Sequence, residues 1–191
     1  GYCGDMGEVY RRWGWLGVFL GARVEARGGG SYLGLNAPAA TFAAMGLGGA
    51  LGAYAGGALA DRWGRTTLTM AAMALSGLCA ATIGLSFGGP PALTFALAVF
   101  WGITVIADSA QFSTAVTELS PPAYVGTALT AQTCVGFALT MVAIWLIPPV
   151  VRLIGWSWAF AMLAPGPALG VLAMARLRSS PESLRMAGGR R

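Results

Sequence analysis

Few residues in this chain can do chemistry. Twelve of its 191 residues are Lys or Arg, seven are Asp or Glu, and none is His. All twelve basic residues are arginine. Without Lys there is no phosphate-cradling loop lysine. Without His the usual general base and the commonest metal ligand are missing. What remains is carboxylates and guanidiniums, which can carry a proton, pair with each other or hold a small anion. The most suggestive arrangement is Thr104, Asp108, Gln111, Ala115 and Glu118. Steps of four, three, four and three keep them on one face of a helix. An acid inside an apolar helix is costly in lipid, so it faces a cavity or a partner. Asp108 and Gln111 are therefore candidates for cavity lining or proton coupling. The alternative is a structural acid that pairs with a loop arginine or caps a neighbouring helix.

Two further clusters follow. Thr130, Thr133, Phe137 and Thr140 form a stripe with Gln132 beside it. Together with Thr104 the three threonines are candidates for a solute path, although a threonine in a span can also bond its own backbone. Near the start, Glu8 lies one turn from Arg12 and nearly so from Arg11. Arginines at that depth demand a watery cavity or internal pairing, and a cavity arginine suits an anion. Alternatively this segment does not sit as a full span. Cys3, Cys79 and Cys134 lack metal-ligand spacing and read as small packing residues. Neither a metal nor a cofactor is expected. No enzyme is expected either, because no base stands beside a nucleophile.

The elements that must position these groups are apolar and long. Hydrophobic residues make up 56% of the chain and charged ones 10%, against roughly 25% charged in soluble domains. Mean hydropathy is +0.66. From Asn36 to Ala60 and from Thr67 to Phe87 there is no Asp, Glu, Lys or Arg. A helix needs about 20 apolar residues to cross roughly 30 Å of hydrocarbon. The pattern predicts an all-α integral membrane bundle of six spans, near 1–22, 36–60, 67–87, 92–116, 124–147 and 156–175. The domain runs over 1–176 and a disordered cytoplasmic tail over 177–191. Residues 23–31 read as a polar connector, and Pro148-Pro149 as the end of the fifth span. Gly48, Gly52 and Gly56 put three bare patches on one face of the second span, with Gly49, Ala53 and Gly57 in a row beside them. A neighbouring helix can approach closely there. Gly46-x-Gly48-x-x-x-Gly52 is read as packing too, since no strand precedes it as a dinucleotide loop requires.

Between the second and third spans sits a compact charged turn, Gly57-Ala58-Leu59-Ala60-Asp61-Arg62-Trp63-Gly64-Arg65-Thr66. Asp61 can accept from backbone N–H groups at a helix N-terminus. Arg62 and Arg65 can pair with acids or lipid phosphates, and Gly64 permits a turn that side chains obstruct. If six spans form, this turn and the tail share a face bearing Arg62, Arg65, Arg176, Arg178, Arg185, Arg190 and Arg191. The other face bears Arg23, Arg27 and Arg152. The arginine excess puts the turn and the C-terminus in the cytoplasm. A net charge of +5 reads as this orientation signal and not as a nucleic-acid surface, because no helix face is basic.

The turn resembles the signature loop of the major facilitator superfamily, with Thr66 where a basic residue is common. A wider resemblance joins Gly1-Tyr2, Met6, Glu8, Tyr10, Trp13, Trp101-Gly102, the run Ala107 to Ser113, Glu118, Pro121 to Thr130, and Gln132. These residues resemble the C-terminal half of a bacterial group of facilitators loosely described as nitrate, nitrite or cyanate-like carriers. Asp5, Gly7 and Arg11-Arg12 depart from it. The resemblance implies a three-plus-three inverted repeat of six helices, alternating access, and a turn that latches one access state. It also implies an N-terminal six-helix half that this chain lacks, consistent with an opening Gly-Tyr-Cys without an initiator Met. The expected partners are the bilayer of a bacterial inner membrane, that other half, and a small solute, with anions weakly favoured and a proton coupled. The competing expectations are a membrane scaffold or regulatory subunit that transports nothing, and an embedded enzyme.

Overall fold

The computed structural model describes residues 2–181, and describes side chains for residues 14–109 and 111–181. Glu8, Arg11 and Arg12 fall outside the described side chains. The elements are α1 (Tyr2–Ala26), α2 (Ala37–Trp63), α3 (Arg65–Thr82), α4 (Pro91–Leu119), α5 (Val125–Ile154), α6 (Trp156–Ala159) and α7 (Pro165–Arg178). Short 3₁₀ turns at Ile83–Gly88, Pro122–Tyr124 and Ala161–Leu163 link them. No strand occurs among the described residues. Among the described residues, five stretches are long and apolar enough to cross a membrane: Ala37–Trp63, Arg65–Gly88, Pro91–Leu119, Pro122–Ile154 and Trp156–Arg178. The chain is thus all-helical, in a form compatible with a multi-pass membrane protein.

Helix α4 is the hub. It packs along α2 and α3 and also touches α1, while α1 lies against α5 and α3 against α7. The α2–α4 contact depends on missing side chains, on the row that the sequence singles out. A Cβ added at Gly48 would lie 2.8 Å from Gly102 Cα, at Gly52 2.5 Å from the Ile103 carbonyl oxygen, and at Gly56 2.8 Å from Ala107 Cα. In a lipid setting apolar helices have no hydrophobic reason to associate, and close backbone contact of this kind is what would hold them. The parallel row differs. Gly49 and Gly57 have nothing within 4 Å of such a Cβ.

Next to the α2–α4 contact, aromatic rings interlock. Phe19 meets Phe160 edge-on at 5.3 Å, and Phe160 meets Trp101 edge-on at 5.7 Å. Trp101 is fully buried, and its indole N–H donates to Ser76 Oγ at 3.1 Å, tying α4 to α3. Edge-to-face pairing is the preferred geometry for such rings.

The structure corrects four boundaries. Arg23 is not part of a connector, because α1 continues to Ala26. The Pro148-Pro149 pair lies inside α5 and does not end it. Proline removes the N–H donor of its turn, a loss tolerated in membrane helices where neighbours re-satisfy the freed carbonyls. The sixth span is broken into α6, a 3₁₀ turn and α7, with Pro165 opening the last piece. Its helix extends to Arg178, past the predicted start of the tail at 177. Cys79 is buried as expected of a packing residue, whereas Cys134 is exposed.

Candidate functional site: the arginine clasp on α4

The charged turn is tighter than its sequence suggests. Gly57, Asp61 and Arg62 all belong to the last turns of α2, and Arg65 already opens α3. Gly64 alone joins the two helices, with φ 86° and ψ 151°. Its N–H donates to the Ala60 carbonyl at 3.0 Å, and its carbonyl accepts from the Leu68 N–H at 3.1 Å. A side chain is strained at that φ, which is the reason for glycine. Asp61 and Arg62 are exposed there.

Arg65 turns back onto α4. Its Nη1 donates to Gln111 Oε1 at 2.9 Å and its Nη2 to Glu118 Oε1 at 3.0 Å. The side chains of Arg65 and Glu118 are 19% and 26% exposed, so the ion pair sits at the edge of the packed region. Gln111 is buried. The planar guanidinium suits this double grip, because its donors point along fixed directions. One arginine therefore fastens the start of α3 to two points on α4 that lie two turns apart.

The face of α4 foreseen from spacing is real. Thr104, Asp108, Gln111 and Ala115 are all buried, and Glu118 is half-buried. Asp108 is 2% exposed, one turn from the clasped Gln111. Phe112 beside them packs with Met73 of α3 and Met174 of α7. The structure brings Arg65, Gln111 and Glu118 together, with Asp108 adjacent along the helix.

The threonines are less convergent. Thr104 Oγ1 donates to the Trp101 carbonyl, Thr130 to Gly126 and Thr140 to Gly136, each at 2.9 Å. Each hydroxyl proton is committed to its own helix. Thr130 is exposed, Thr133 half-buried and Thr140 buried, so the α5 stripe does not present one uniform surface.

Sequence reasoning missed a second arginine centre. Arg23 is 1% exposed at the end of α1. Its Nε donates to the Ser86 carbonyl at 3.4 Å, its Nη2 to the Gly89 carbonyl and its Nη1 to Tyr32 Oη at 3.4 Å. The guanidinium also lies 5.6 Å from the centroid of the Tyr32 ring, within cation–π range. Arg27 adds a 2.6 Å bond to the Gly88 carbonyl. Orphan carbonyls after α3 are thus capped by cations from the end of α1 and the residue that follows it. A signal was present in the sequence: two arginines one turn apart facing a Gly-Gly-Pro-Pro break.

No known protein family, no curated protein and no solved structure matches this chain.

Proposed function

We propose that this chain is the C-terminal six-helix half of a facilitator-type secondary transporter. It would work by alternating access with a second half in a bacterial inner membrane, the α2–α3 turn and the C-terminus facing the cytoplasm. The observation that carries the reading is Asp108. It is a carboxylate buried in a span-length apolar helix, on the same face as the Gln111 and Glu118 that hold the turn arginine. A buried acid of this kind is expensive in lipid and marks ion or substrate pathways. In this reading Asp108 carries the coupling proton, and each charge moved across the membrane draws about 2.3 kcal/mol per 100 mV. The Arg65 clasp holds one access state and opens in the other. The solute is small, with an anion favoured by the resemblance.

The test is uptake into proteoliposomes by the chain together with its partner half, over a panel of small anions and sugars under an imposed pH gradient. Asp108→Asn is expected to abolish uphill accumulation and to spare exchange of the same solute. Unchanged proton-driven accumulation makes Asp108 structural. No flux of any solute in the wild type returns the chain to the scaffold class.

A further inference from the structure

Alongside the clasp, α4, α5 and α7 do not close on one another. Between them lies a cleft of about 520 Å³, lined by Phe112 and Leu119 of α4, Gln132 and Val135 of α5, and Met174 and Leu177 of α7, among others. It sits where α4 and α7 end and α5 begins, with Gln132 about 10 Å along α5 from its first residue at 1.5 Å per residue. Every lining side chain but one is apolar. The exception is Gln132. Its Oε1 and Nε2 are both shut off from water, and neither has a hydrogen-bond partner.

That combination is costly unless something else completes it. A buried amide left unpaired forfeits the hydration of an acceptor and of two donors. A leucine would fill the same space without that penalty. Small-molecule sites combine an apolar wall with one or two placed polar groups, in volumes of roughly 300–1,000 Å³. A carboxamide matches best a head that both donates and accepts, because the two groups then form paired hydrogen bonds. Rotation about the side-chain torsions of glutamine lets that head reach an occupant of the cleft. A charged head is disfavoured, since no cation or anion lines the cavity.

We propose that this cleft binds an uncharged amphiphile, a hydrocarbon body ending in a primary amide or a protonated carboxylic acid, with Gln132 as the group that recognises its head. The site adjoins the Asp108 face of α4 at Ala115 but contains neither Asp108 nor the clasp residues, and it does not depend on the transport reading.

The test uses the full chain in phosphatidylcholine nanodiscs with a diazirine analogue of decanamide, and crosslinks are mapped by mass spectrometry. Labelling is expected on the α5 and α7 segments around Gln132 and Met174, and excess decanamide should compete it away. Methyl decanoate, which accepts but cannot donate, should compete roughly tenfold less well. Gln132→Leu should cut specific labelling about tenfold and also raise the melting temperature of the ligand-free protein, since it removes an unpaired amide. Ala131→Trp, at an exposed position on the cleft wall, should block labelling by filling the space. Three results overturn the proposal. They are equal competition by methyl decanoate, labelling indifferent to both variants, and labels spread over lipid-facing positions such as Phe42 and Tyr54. A lowered melting temperature for Gln132→Leu, with labelling intact, would mean that the amide serves the fold and not a ligand.

Discussion

Arg65 bridges two side chains on another helix, so its loss should be felt by both. The ion pair with Glu118 is partly exposed and contributes under about 1 kcal/mol. The larger effect comes from Gln111, whose buried carbonyl oxygen loses its donor, at a cost of roughly 1–3 kcal/mol. Arg65→Ala should therefore destabilise more than Glu118→Gln, and thermal unfolding of the detergent-solubilised protein will order the two. The reverse order would show that the ion pair dominates. Arg23 makes a sharper case, since its guanidinium serves the Ser86 and Gly89 carbonyls at once. Arg23→Leu should cost several kcal/mol, because unmade buried bonds cost about 1–3 kcal/mol each. Arg23→Lys should recover only part of this, since an ammonium lacks the planar fork; melting temperatures of the three forms check it. At this scale the sequence was partly legible. Helical spacing placed Asp108, Gln111 and Glu118 on one face, and the pairing of such an acid with a loop arginine was foreseen as an alternative. Arg23 was harder to see because two of its partners are backbone carbonyls more than 60 positions away, and only the paired arginines and the Gly-Gly-Pro-Pro break hinted at them.

Helices α2 and α4 meet where side chains are absent. The two glycine rows of α2 look alike in sequence and differ in surroundings, which gives a paired test. Gly52→Ala puts a methyl 2.5 Å from the Ile103 carbonyl oxygen, so α2 and α4 must part, at roughly 1–3 kcal/mol for overpacking. Gly49→Ala meets nothing within 4 Å and should be neutral or stabilising by up to about 1 kcal/mol through helix propensity. Thermal melts of the two variants compare them directly, and equal loss would disprove the asymmetric packing. Four-residue spacing made the packing row readable in advance. It could not say which of two adjacent rows faces α4, because that depends on the rotation of α2 about its axis. Helix ends were less legible. Pro148-Pro149 read as a stop, yet α5 runs through it, since a proline pair only removes donors and packing settles whether the helix continues.

For the whole molecule the orientation is the claim most open to direct measurement. Trp63 is 56% exposed at the end of α2, beside the turn. A Trp63→Cys variant should react with a membrane-impermeant maleimide only from the cytoplasmic side, with the wild-type chain as the background for its native cysteines. Labelling from outside alone would invert the proposed topology and set aside the arginine bias. Apolar run lengths made the helical class and most spans visible in the sequence, whereas the partition of the last span into α6 and α7 was not. Its proline-punctuated composition, with Pro165 and Pro167, suits one long helix or two short ones equally, and contacts with α3 settle the matter.

Gly64 makes α2 and α3 meet at a single residue. Helix α2 has 27 residues, about 40 Å at 1.5 Å each. A swing of about 5° at that pivot carries its far tip by some 3–4 Å, by the geometry of a rigid rod of this length. The Arg65 grip lies almost on that joint, so under the proposed latch a small movement there would be read out as a large one at the far end of α2.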